Sequence, residues 1–194
     1  MNYSEKTSPQ AASELAFEAL ARSVDALFER HAYDAHPGVC VEGDIHFKAF
    51  PNPGRELFED LAGLAYAGLN LVEHNRQWSL AEGYGFWYTL AVAVSNAASG
   101  YADAEQPERV PEEPVRILFG SLLDFLPYAC NRPGDWVIRT ADALASLYAA
   151  FPLDGLRERV TQAQHSSSTS AGLLSAVREK IDESFRATHP RNAL

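Results

Sequence analysis

Three of the chain's six histidines fall within residues 31–47, HAYDAHPGVCVEGDIHF, where Asp34, Glu42 and Asp44 lie between them. His31 and Asp34 are three apart and would share a helix face, while Asp44 and His46 are two apart and would share a strand face. Two such pairs brought together make a His/carboxylate set suited to zinc, manganese or iron, the chemistry of a metal-dependent hydrolase or oxygenase. Each residue also has a local explanation. A histidine near a helix C-terminus is favoured by the helix dipole when protonated. Asp44 beside Gly43 is ordinary turn chemistry. If Val39, Val41, Ile45 and Phe47 face the core, Asp44 and His46 face water. The chain has neither an HExxH nor paired CxxC motifs. The preferred reading is therefore a helix end running into a polar hairpin, with no metal or cofactor expected. The metal set is the alternative.

Other chemistry is less marked. Glu59-Asp60, Glu112-Glu113 and Asp182-Glu183 are adjacent carboxylates, but neighbours on a helix point in different directions and do not share an acid/base site. Glu73-His74 offers half of an acid/base pair without naming the other half. No GxSxG elbow is present, and Cys40 and Cys130 lack the flanking pattern of a nucleophile. GYGFWYTL lacks the third glycine of a nucleotide-binding fingerprint. Its aromatics Tyr84, Phe86, Trp87 and Tyr88 read as core, with a ligand pocket as the alternative.

The elements that carry these residues are mostly helical. Ser8-Pro9 is a cap followed by a first-turn proline. Phe17, Leu20, Val24, Leu27, Phe28 and His31 then recur at spacings of three and four, so a helix is expected to end near residue 33. The alternation in GVCVEGDIHFKAF predicts a short hairpin. PNPG at 51–54 is a turn. A second helix follows with Leu57, Phe58, Leu61, Leu64, Ala65, Gly68, Leu71 and Val72 on one stripe; Gly63 and Gly68 lower its intrinsic stability but allow close helix approach. Ser79 with Glu82 forms a capping-box pattern ahead of a third helix that is apolar nearly all round and hence central. GYADAEQPERVPEEP, 100–114, is an exposed acidic loop, with 101–114 the candidate subdomain boundary in an otherwise single domain of residues 1–194. Helices are expected at 113–126, 134–150 and 154–165, Asp154 capping the last. Ser170 is expected to cap a final helix carrying Leu173, Leu174, Val177, Ile181 and Phe185. ADALASLYAAFP has the spacing of one helical-repeat unit, but no second copy follows.

Composition narrows the function. The 194 residues are 46% hydrophobic and carry 26 acids against 16 bases, a formal net charge of −10. Residues 1–125 hold 19 acids and eight bases, a net −11; residues 126–194 hold seven and eight, a net +1. An acidic front argues against a nucleic-acid partner, which needs clustered Lys and Arg. No apolar run is long enough to span a bilayer. The N-terminus lacks a secretion signal, and two distant cysteines suggest no disulfide framework, so a cytoplasmic setting is expected. Arginine outnumbers lysine 13 to three, a bias consistent with a high-GC bacterial source.

The expected fold is all-α, an irregular bundle of about seven helices with a small β-hairpin after the first. The expected function is non-enzymatic: an acidic protein-binding protein, such as a bacterial immunity protein acting as stoichiometric inhibitor of a basic toxin domain. Asp103, Glu105, Glu108, Glu112 and Glu113, with Arg109 the one base among them, form the candidate partner-binding set.

Overall fold

The computed structural model describes residues 9–34, 45, 48–74, 80–129, 135–166 and 171–188. Among them are seven helices: α1 (Pro9–His31), α2 (Arg55–His74), α3 (Leu80–Asp103), α4 (Glu112–Ala129), α5 (Asp135–Ala150), α6 (Leu156–Ser166) and α7 (Ala171–Thr188). None is long and apolar enough to cross a membrane. The protein is all-α, as its periodicity predicts.

The helices form two rows. The odd-numbered ones pack side by side, α3 between α1 and α5, and α5 between α3 and α7. The even-numbered ones form a second row, α4 between α2 and α6. α1 and α2 join the rows at one end, α6 and α7 at the other. This alternation leaves an outer surface on each row.

Sequence accounts for each burial pattern. Phe17, Val24, Leu27 and Phe28 of the α1 stripe are buried. α2 buries Leu57, Phe58, Leu61, Ala62, Ala65, Gly68, Leu69 and Val72. α3 contributes Phe86, Trp87, Leu90, Ala91, Val94, Ala97 and Ala98, on more than one side, as a central helix must. Trp87 stacks on Phe125 of α4, centroids 3.8 Å apart at 12°, and meets Phe86 edge-on at 5.1 Å. The aromatics singled out from the sequence therefore divide. Phe86 and Trp87 are core, Tyr88 is partly buried, and Tyr84 is exposed and stacks on Tyr88 at 5.7 Å.

Two local results differ from the sequence reading. α3 continues to Asp103, four residues into the segment expected to be loop. Tyr101 is the reason: it packs 4.4 Å from Phe151 and edge-on to Phe58 at 5.9 Å, which holds the last turn in place. Gly100 lets that turn approach the chain before α2, since a Cβ there would sit 2.3 Å from the Phe50 carbonyl oxygen.

The second difference concerns the hairpin. Two short strands pair antiparallel, β1 (Tyr33–Asp34) with β2 (Lys48–Ala49), Tyr33 opposite Ala49 and Asp34 opposite Lys48. They flank the stretch expected to alternate. Residues 39–44, 46 and 47 themselves lie outside the described residues. Asn96 of α3 fixes this region, its Nδ2 donating to the carbonyls of Ile45 at 3.1 Å and Lys48 at 2.7 Å. Asn52 in the PNPG turn takes φ 51°, a left-handed position that Asn tolerates.

Candidate functional site

The five acidic residues chosen from the sequence are close along the chain, but they face different neighbourhoods. Asp103 ends α3 and looks onto a groove between α3, α5 and α7. Glu105 is exposed in the connecting loop. Glu108 reaches the start of α2, where its Oε2 accepts from the Arg55 backbone N–H at 3.3 Å. A carboxylate suits that position, since the first backbone N–H groups of a helix lack partners and the dipole favours negative charge. Gly54 makes the approach available: a Cβ there would collide with the Glu108 carboxylate. Glu112 and Glu113 open α4. Glu112 pairs with Arg116 at 3.0 Å one turn on, and Arg116 also donates to the Asp154 carbonyl at 2.9 Å. Glu113 has no ion pair or hydrogen bond among the described residues.

Glu113 borders something the sequence reading did not single out. A hollow of about 400 Å³ lies between α2 and α4, lined by Glu59, Ala62, Gly63, Tyr66, Glu113, Pro114 and Ile117. Tyr66 is 57% exposed and Ile117 40%. A second hollow of about 340 Å³ lies on the α1 side of α2, where Leu27, Leu64, Arg30 and Asp60 line it. Gly63 and Glu59 belong to both. Together they make a trough across α2, with Glu59 and Gly63 where the two hollows meet, apolar residues on either side, and Asp60 and Glu113 at the border. The signal for it was Tyr66, a large aromatic on the face opposite the buried stripe. That signal becomes legible only once α4 is known to lie beside α2.

The adjacent carboxylates diverge, as the helical geometry requires. Glu59 accepts from Arg55 at 2.6 Å, while Asp60 faces Arg30 of α1 at 3.6 Å. Asp182 binds Arg157 at 2.8 Å. His74 Nδ1 lies 2.9 Å from the Asn70 carbonyl of its own helix, a local contact.

A larger hollow, about 700 Å³, is the groove between α3, α5 and α7. Its floor is small and polar. Ser95 and Ser146 share a hydrogen bond at 3.1 Å. At its mouth Asp142 accepts from Lys180 and lies 4.0 Å from Arg139. Among the described residues two side chains are shifted from their ordinary range, and both lie outside these hollows. The Asp25 carboxyl is raised by partial burial and then by Glu29. The Tyr148 phenol is raised by burial, with Arg157 opposing and Glu158, Asp182 and Asp154 adding.

Of the metal alternative, His31 is the one member whose side chain is described. Its Nε2 is buried and has no hydrogen-bond partner among the described residues. Asp34 is placed by its backbone in β1, and Asp44 and His46 lie outside the described residues, as do Cys40 and Cys130. Among the described residues no three His, Cys, Asp or Glu side chains converge as metal ligands.

Fold and surface thus define an acidic, two-row helical protein with an apolar, acid-rimmed trough on its even-numbered row. Comparison with known proteins finds no matching family model, no similar curated protein and no similar solved structure.

Proposed function

We propose that this chain is a protein-binding protein that engages a basic partner through the α2/α4 face. Stoichiometric inhibition is the specific form we favour, as by a bacterial immunity protein that neutralises a basic toxin domain. The observation that carries the reading is the exposed Tyr66/Ile117 hollow with Glu59 and Glu113 at its edge. An apolar centre within a charged rim is the common anatomy of a protein interface, and tyrosine is among the residues that most often anchor one. The acidic rim and the −11 front region steer a basic partner and fix its orientation.

The test uses an identified basic partner and the triple variant Glu105→Lys, Glu112→Lys, Glu113→Lys. Glu108 is left intact because it holds the start of α2. Affinity should fall by about tenfold or more, chiefly through slower association, and added salt should weaken the unmodified protein in the same way. An unchanged affinity would remove the acidic face from the interface.

The buried, unpartnered His31 Nε2 favours a second reading, a metal-dependent hydrolase or oxygenase using His31, Asp34, Asp44 and His46. Elemental analysis of untagged protein decides it. About one equivalent of transition metal, lost in His31→Ala and in His46→Ala, supports this reading. Protein that neither carries nor acquires metal rejects it.

A further inference from the structure

We infer that Gly63 marks the point where an α-helix of the partner crosses α2, and that this helix carries an apolar stripe bordered by Lys or Arg. The inference rests on the protein-binding reading above and specifies the partner's shape and chemistry.

Glycine inside a helix lowers stability, so it usually has a packing reason. α2 contains two interior glycines. At Gly68 a Cβ would lie 2.3 Å from Phe86 Cε1 and 3.1 Å from Trp87 Cζ2, so the core itself requires glycine. At Gly63 a Cβ would meet nothing within 4 Å. Among the described residues no contact accounts for it, as is also true of Gly85 in α3. Gly63 is, however, the residue at which the two hollows meet. With no side chain there, the ridge of α2 is lowest between them, and the trough runs across the helix from Leu27 to Ile117. Packing of one helix across another needs such a low point where the backbones come closest.

A helix suits this trough better than an extended strand. Strand addition needs a row of unpaired backbone groups, and the backbone of α2 here is already bonded within its own helix. Side chains at helical spacing can drop into the hollows on either side of Gly63, one against Tyr66, Pro114 and Ile117, the other against Leu27 and Leu64. Charge selects the flanks. Glu59, Asp60 and Glu113 border the trough; Arg55 pairs with Glu59 and Arg30 faces Asp60, which leaves Glu113 as the carboxylate without a partner among the described residues. A second copy of this chain would bring its own net charge of −10 to that rim, so a basic helix is the better match.

The probe is a synthetic, fluorophore-labelled helix of about 18 residues with Leu at helical spacing and Lys elsewhere, long enough to hold helical structure. A matched Leu/Glu helix is the control. Binding to the full chain is read by fluorescence anisotropy, with Gly63→Gln and Ile117→Gln as uncharged variants and the triple Glu→Lys variant beside them. The Leu/Lys helix should bind about tenfold or more tighter than the Leu/Glu helix. Gly63→Gln should weaken it by a similar factor without lowering Tm, and Ile117→Gln should act in the same direction. Binding that survives both uncharged variants but is lost in the triple variant overturns the crossing at Gly63 and leaves the acidic face standing. Binding that ignores all three variants, or no binding at all, overturns both. Self-association in sedimentation that disappears in Gly63→Gln overturns the basic occupant in favour of a second copy.

Discussion

The groove between α3, α5 and α7 and the trough across α2 are both open hollows, yet their polar groups are used differently. The groove is larger, about 700 Å³ against about 400 and 340 Å³ for the two halves of the trough. Several of its groups, however, bind one another: Asp142 faces Lys180 and Arg139, and Ser95 bonds Ser146, while Asp103 and Glu183 also line it. A ligand entering there must break contacts the chain has already made. The trough presents Tyr66 and Ile117 to solvent beside a Glu113 that has no partner among the described residues. A partner covering it gains apolar burial and meets an uncommitted carboxylate.

The largest effect expected within this comparison is at Gly68, on the side of α2 that faces the core. Gly68→Ala places a methyl group 2.3 Å from the ring of Phe86, which is only 1% exposed and cannot swing away. Overpacking of this kind costs about 1–3 kcal/mol, and better helix propensity recovers about 1. Denaturant unfolding should show a net loss. A stabilised variant would mean that α2 does not sit this close to α3. Next in size is Asp142→Asn, which leaves Arg139 and Lys180 without their shared carboxylate. The groups are half-exposed, so about 0.5–1 kcal/mol should be lost, and less at high salt. No loss would make the groove's charges available to a ligand after all.

These contrasts also show what the sequence could and could not reveal. The helices are legible because their apolar spacing is local: the α1 stripe and the extent of α5 follow from it directly. The end of α3 was not, because Tyr101 is held by Phe58 and Phe151, residues far away in the chain. The acidic loop reads as one cluster in sequence. Its members separate in space because Glu108 is drawn to the start of α2 and Asp103 stays on α3. Gly63 and Gly68 look alike along the chain, five residues apart. Only the position of Phe86 and Trp87 tells them apart.

That difference gives a test of opposite sign on the same helix. Gly63→Ala adds a methyl group where nothing lies within 4 Å, so it should stabilise the protein by about 0.5–1 kcal/mol through helix propensity alone. A loss of stability would place an internal contact over Gly63 and close the trough.

The smallest expected effect on stability is at Tyr66, and there the smallness is itself the point. At 57% exposure the ring contributes little packing to its own chain, so Tyr66→Ser should change unfolding free energy by no more than about 0.5 kcal/mol. If Tyr66 anchors a partner, the same variant should cost about 2 kcal/mol of binding, roughly thirtyfold in Kd. Large loss of binding with little loss of stability separates a residue held for recognition from one held for folding. Equal losses in both would return Tyr66 to the fold, and the α2/α4 hollow would then be an ordinary surface depression.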